Sequence, residues 1–217
     1  MRVIEIFDSI DGEGIFVGGL ATFIRLAGCN LRCSYCDTAY ALSANSGIEM
    51  QTSEILDTVQ KIGNRHITLT GGEPLIHYGS KYLIQQLAGN GFFVNIETNG
   101  SVDISEYQNE NTVITMDYKT ESSGECDKMR LENLELLREQ DVLKIVCKES
   151  DFPSILDLLK KNRIKSYIYI SPIFGKVEPE KLVEFVQTMR NAGVDTEKIR
   201  VQLQLHKIIW NPEQRGV

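Results

Sequence analysis

The sequence predicts an α/β fold, an incomplete, modified (βα) barrel with a parallel sheet and reduced crossover helices. Short stretches of alternating apolar and polar residues recur along the chain, and stretches of helical periodicity separate most of them. At 217 residues the chain is also shorter than the roughly 250 that eight full strand-helix units occupy. Strands that alternate with helices are joined by right-handed crossovers, which build a parallel sheet.

In chain order, alternation marks strands at residues 2–7 and 21–26. A helix is expected at 53–62, where Ile55, Leu56, Val59 and Ile62 share one face, with Thr52 or Ser53 as its cap and Gly63 as its stop. Strands at 66–70 and 92–97 enclose a helix at 81–89. Residues 99–111 carry no convincing helix before a strand at 112–116, so that crossover should shrink to a loop. There follow a helix at 131–139, a strand at 141–147, a helix at 153–162, a strand at 167–171, a helix at 179–192 and a last strand at 199–205. In the last, Ile199, Val201, Leu203 and Leu205 alternate with Arg200, Gln202, Gln204 and His206. An active-site face and a water-exposed edge both read that way. No repeat, low-complexity run or Pro/Gly-rich linker divides the chain, and residues 1–217 read as a single domain.

Hydrophobic residues make up 42% and charged ones 24%, proportions of a globular protein able to bury a substantial core. A net charge of -7 argues against a dedicated nucleic-acid surface, which needs a basic patch, and favours a small-molecule partner. No apolar run approaches the length of about 20 residues that spans a bilayer, and Met1 to Asp11 alternates apolar and charged residues. The expectation is no membrane contact and a cytoplasmic location.

Of five cysteines, Cys29, Cys33 and Cys36 crowd together in a C-x3-C-x2-C spacing, while Cys126 and Cys147 stand apart. This is no disulfide framework. The three follow directly on the strand ending at Leu26, in a loop above its carboxyl end. Three thiolates with no fourth nearby suit an iron-sulfur cluster with one iron left open. Structural zinc would instead require a distant Cys126, Cys147 or a histidine as fourth ligand. A second motif, Thr70-Gly71-Gly72-Glu73-Pro74, ends the strand at 66–70 and so sits on the same rim. Paired glycines let a ligand approach the backbone closely.

The cysteine spacing, with Tyr35 before the third cysteine, resembles the signature of radical S-adenosylmethionine enzymes, and Gly-Gly-Glu-Pro resembles their second motif. Within that superfamily, the segment from Phe7 to Gly14, the stretch from Thr22 to Leu26, Cys36-Asp37-Thr38 and the C-terminal end resemble 7-carboxy-7-deazaguanine synthases. Where that family usually carries Gln, this sequence has Asp11. The resemblance implies ring contraction of 6-carboxy-5,6,7,8-tetrahydropterin to 7-carboxy-7-deazaguanine with loss of ammonia, in queuosine biosynthesis. It also implies a 4Fe-4S cluster, S-adenosylmethionine and Mg2+ as cofactors, an electron donor such as flavodoxin, and a homodimer. The alternative is a short activating enzyme that makes a glycyl radical on a partner protein.

Residue by residue, the resemblance gives Cys29, Cys33 and Cys36 to the cluster and Thr38, otherwise a turn or cap residue, to Mg2+. Tyr35, Cys36, Asp37, Gly72, Asp117, Tyr118 and Lys119 would bind S-adenosylmethionine, and Ile10, Asp11, Gly12, Arg25, Thr70 and Val217 the substrate. Arg25 has independent support: its neighbours Ile24 and Leu26 point the other way, so its guanidinium should face the barrel interior, where it needs an anion. Glu13, Glu97, Ser171 and His206 form a second rank. The resemblance also makes the free carboxylate of Val217 a substrate contact, where an ordinary tail would fray.

Overall fold

The computed structural model describes residues 1–217. β1 (Arg2–Ile10) and β2 (Leu20–Leu26) form an antiparallel hairpin, and the short β3 (Ile48–Glu49) lies on the outer side of β1. β4 (His66–Gly71), β5 (Phe93–Thr98), β6 (Thr112–Lys119), β7 (Val142–Cys147), β8 (Tyr167–Pro172) and β9 (Ile199–Val201) then continue from β2 in parallel. The nine strands run β3-β1-β2-β4-β5-β6-β7-β8-β9, so the sheet curves without closing.

Each central strand is two-faced. Ile24, Leu26, Ile67, Leu69, Ile96, Ile114, Met116, Leu143 and Ile145 are buried in one continuous core. Against them pack Ile55 and Val59 of α1 (Thr52–Ile62), Leu83 and Leu87 of α2 (Ser80–Gly89), Ile155 and Leu159 of α4 (Phe152–Lys161), and Leu182 and Phe185 of α5 (Pro179–Asn191). The alternate positions, Arg25, Thr68, Thr70, Asn95, Glu97, Thr115, Asp117 and Lys144, take the opposite, concave face by the period of two. A row of polar residues on a buried sheet face marks a binding interior.

Three local readings are corrected. α1 begins after Gln51, whose backbone N–H donates to Glu54 Oε2 at 2.6 Å, while Gly63 ends the helix with φ 89° as expected. The helix expected at 131–139 shrinks to α3 (Asn133–Leu136). There the Asp141 carboxylate takes the Arg138 backbone N–H at 2.8 Å, and Asn133 Nδ2 donates to the Gly100 and Val102 carbonyls, so local side-chain bonds replace a longer helix. The strand expected at 199–205 ends at Val201 and turns into α6 (Leu205–Ile209), which stops at Trp210, the only tryptophan. The crossover at 99–111 holds just a 3-10 turn at Ser105–Tyr107, as its sequence suggested.

The residues after β9 bridge the sheet's open side. Gln202 accepts the Gly14 N–H at 2.8 Å and donates to the Gly14 carbonyl at 3.0 Å, and the Leu205 N–H donates to the Gly12 carbonyl at 2.9 Å. The β1-β2 loop and the C-terminal segment thus meet across the mouth of the concave face. No helix is long and apolar enough to cross a membrane.

Candidate active site

The concave face encloses a cavity of about 470 Å³ at the carboxyl ends of the parallel strands. The cysteine loop forms one wall. Its base is tied down by backbone bonds, Gly28 N–H to the Ala41 carbonyl at 2.7 Å and Cys29 N–H to the Leu42 carbonyl at 3.2 Å. Ser34 bonds to the Ser122 and Ser123 carbonyls, and Tyr35 Oη donates to the Val146 carbonyl at 3.3 Å with Lys119 Nζ 5.9 Å from its ring centre. Cys29, Cys33 and Cys36 all line the cavity. Burial pushes the Cys29 and Cys33 thiols up, so a metal would have to displace their protons.

The donor set discriminates between metals. Cys147 is fully buried in the core on the far side of the sheet, and Cys126 lines a separate depression beside Asp127. No three His, Cys, Asp or Glu side chains converge on one point as a single zinc ion demands. Three cysteines around one cavity fit a larger cluster completed by a non-protein ligand.

The glycine pair holds the opposite wall against this loop. Gly71 has φ 146°, and a Cβ there would strike the Leu26 backbone; one on Gly72 would strike Gly28 and Cys29. Gly72 N–H donates to the Leu26 carbonyl at 3.0 Å, and Glu73 N–H to the Gly28 carbonyl at 2.8 Å. Glu73 itself does not reach the cavity. Wholly buried, it accepts from Leu75 N, Thr98 Oγ1 and Asn99 N and so fastens the end of β5 to the glycine turn. Burial pushes its pKa to about 7 despite those bonds.

The floor is built of opposed charges. Lys144 on β7, only 6% exposed, pairs with Glu13 at 2.9 Å and Asp117 at 3.5 Å, and Lys119 pairs with Asp117 at 2.8 Å. Burial works against the Lys144 charge, yet the carboxylates of Glu13, Asp117 and Glu97 hold it firmly protonated. Arg25 donates from Nε to Glu5 at 2.8 Å, and Glu5 also accepts from Tyr40 Oη at 2.9 Å. Thr70 Oγ1 donates to Glu97 Oε2 at 2.9 Å. Burial raises the Glu97 pKa, and Lys144 opposes that rise.

Nearly every residue singled out in the sequence lines this cavity: Ile10, Asp11, Gly12, Glu13, Arg25, Tyr35, Asp37, Thr38, Thr70, Gly72, Glu97, Asp117, Lys119, His206 and Val217, besides the cysteines. Tyr118 does not. It lies between two cavity-facing neighbours on β6, so the pleat turns it outward against the core and the depression that holds Cys126. Ser171 is fully enclosed, with no partner for its hydroxyl, and is absent from the cavity wall. His206 reaches the cavity from α6, packed so closely on Gly12 that a Cβ there would overlap its ring. Residues missed in the sequence are Lys144, Glu5, Tyr40, Arg215 and Lys207, the last paired with Asp37 at 2.8 Å. Arg215, in the tail that covers the mouth, places its Cζ 3.9 Å from the Tyr40 ring centre.

Comparison with known proteins agrees with this geometry. The Radical SAM superfamily matches residues 23–189. The 7-carboxy-7-deazaguanine synthase of Clostridium acetobutylicum is 40% identical over 100% of this chain and 99% of its own length, and that of Leptospira interrogans is 37% identical over 98% and 96%. The crystal structure of QueE from Escherichia coli superposes with a TM-score of 0.71 at 26% identity, covering 94% of this chain and 93% of that one. Streptococcus suis SuiB bound to its precursor peptide shares the fold alone, with a TM-score of 0.61 at 13% identity. With its cysteine loop, glycine turn and full-length likeness, the chain belongs to the radical S-adenosylmethionine superfamily and, within it, to the 7-carboxy-7-deazaguanine synthases.

Proposed function

We propose that this protein contracts the ring of 6-carboxy-5,6,7,8-tetrahydropterin to give 7-carboxy-7-deazaguanine and ammonia. The observation that carries the reading is that three cysteines, Gly72, Arg25 and the acid-lysine floor share one cavity of about 470 Å³. Cys29, Cys33 and Cys36 would hold the 4Fe-4S cluster, and Gly72 with Tyr35, Asp37, Asp117 and Lys119 would bind S-adenosylmethionine. Together these cofactors supply hydrogen-atom abstraction by one-electron chemistry.

The chain's own residues bind and orient the substrate. Arg25, steadied through Nε by Glu5, presents its two terminal nitrogens as a fork for the substrate carboxylate. Ile10, Asp11, Gly12 and Thr70 border the heterocycle, with Lys144, Glu13 and Glu97 as the charged floor beneath it. Thr38, whose Oγ1 lies 3.8 Å from Cys36 Sγ, offers one hard oxygen for Mg2+, which would draw further oxygens from substrate and water. The tail at residues 212–217 covers the mouth and limits the site to a small molecule, against the protein-sized opening that a glycyl-radical activating enzyme needs. A flavodoxin-type electron donor, a homodimer and a cytoplasmic setting complete the proposal.

The test is anaerobic reconstitution of the cluster, followed by mass spectrometry of the products formed from the carboxylated tetrahydropterin with reductant and S-adenosylmethionine. The expected result is 7-carboxy-7-deazaguanine together with ammonia. An intact cluster that cleaves S-adenosylmethionine but leaves the pterin untouched would refute the substrate assignment.

A further inference from the structure

The cavity wall contains three buried carboxyl oxygens without a partner, on Asp11, Glu13 and Asp117; Glu13 and Asp117 meet Lys144 or Lys119 through their other oxygen, and Asp11 alone meets no cation. Asp11 follows β1 and is 1% exposed, with its backbone fixed on both sides: its N–H donates to the Gly19 carbonyl at 2.9 Å, and its carbonyl accepts from Gly18 at 2.8 Å. Oδ1 accepts from Thr68 Oγ1 at 2.8 Å. Oδ2 is buried with no partner in a residue that lines the cavity.

The surrounding charges give this carboxyl no cation. Arg25 on β2 is engaged by Glu5, Lys144 on β7 by Glu13 and Asp117, and Lys119 on β6 by Asp117. Glu97 on β5 and Glu13 on the same loop are both acids, and His206 on α6 stands beyond Gly12. An anion at Asp11 would be buried, singly hydrogen-bonded and set among other anions, the combination that most favours keeping the proton. Burial first, and then the charge of Glu97, carry its pKa to about 7.

We propose that Asp11 meets the bound substrate as a neutral carboxylic acid, its Oδ2–H donating a hydrogen bond to a lactam oxygen or ring nitrogen of the pterin. In that form both oxygens are used: the carbonyl oxygen receives Thr68 and the hydroxyl serves the ligand. The ionised form accepts only, and turns two lone-pair-bearing atoms toward each other. The inference rests on the pterin reading given above and assigns Asp11 a specificity-determining part in it.

The experiment measures binding of 6-carboxypterin to cluster-loaded protein on both sides of pH 7, for the wild type and for Asp11→Asn and His206→Asn. Wild-type affinity falls roughly tenfold for each pH unit above the transition. Asp11→Asn, whose amide can accept from Thr68 and donate to the ligand, matches the wild type at the acid end and shows no fall; His206→Asn keeps the fall. In ligand-free protein, the infrared difference between wild type and Asp11→Asn contains a carboxyl band that titrates near neutrality, while the band of Glu73, whose pKa is also about 7, is common to both and cancels. A fall that persists in Asp11→Asn assigns the titration to another group such as Glu97 and overturns the proposal, as does the absence of a titrating infrared difference. If the infrared titration is seen but no form, wild type included, binds the pterin, the substrate reading fails and the proposed bond fails with it.

Discussion

Arg25 divides its guanidinium between the fold and the cavity. Its side chain is 13% exposed, its Nε is held by Glu5, and the rings of Phe7 and Tyr40 lie 5.7 and 5.8 Å from its Cζ. Arg25→Lys keeps the charge and loses the fork. Its KM for the carboxylated substrate should rise about ten- to a hundredfold, equivalent to one lost charge-assisted hydrogen bond or two, with cluster absorbance and melting temperature unchanged. Asp11 makes a separate prediction about stability. Its carboxyl titrates at 3.8 in the unfolded chain and about 7 in the folded one, so the folded state holds the proton more tightly. That contribution is complete below pH 3.8 and is lost as pH rises through about 7. Urea unfolding of ligand-free Asp11→Asn should therefore gain on the wild type between acid and mildly alkaline pH, by up to on the order of 4 kcal/mol. Arg25 was legible in the sequence because the apolar neighbours on either side fixed the face it takes. Lys144 was not, because a lysine inside the apolar run 142–147 finds its partner Glu13 in a loop 131 residues earlier, and no local pattern records that. Tyr118 was misplaced by treating a three-residue motif as a unit, when neighbours on a strand face opposite ways.

At the scale of elements, the cysteine loop and the glycine turn are one construction. Their backbones approach so closely that Gly72→Ala would drive a methyl into Gly28 and Cys29. The variant should fold with a loss of about 1 to 3 kcal/mol and bind substoichiometric iron after reconstitution, because the displaced loop misplaces Cys29. Circular dichroism and iron analysis on the same sample separate the two effects. The sequence readings placed most parallel strands within a residue or two, since each carries its own alternation and most are set apart by a helix. They failed where the deciding bonds come from elsewhere. Alternation continues through residues 199–205, yet the strand ends at Val201: the Gln202 N–H still donates to the Ile170 carbonyl at 3.0 Å, but beyond it the chain turns across the mouth, where the Gln202 side chain bonds Gly14 and the Leu205 N–H bonds the Gly12 carbonyl. In the same way, Asp141 and Asn133 cut short a helix whose periodicity was sound.

For the whole molecule, an open sheet with a polar concave face is stable only if its charges are paired, and Lys144, Glu13, Asp117 and Lys119 meet that condition within one connected group. The overall architecture was readable from length and periodicity, but the way the open side is bridged was not, because it depends on contacts between the two ends of the chain. That bridge rests on few bonds: the Gln202 pair with Gly14, the Leu205 contact with Gly12, and the tail beyond α6. Gln202→Ala should weaken the bridge by about 1 to 2 kcal/mol and raise KM without removing the cluster. The lone tryptophan gives this region a natural optical gauge. Trp210 is half-buried at the junction of α6 and the tail, so its emission maximum should report how well the mouth is covered: shifted to the red in Gln202→Ala, and moved toward the blue when ligand seats the tail in cluster-free protein. A single intrinsic fluorophore would then time the opening and closing of the cavity in a stopped-flow cell, with no label attached.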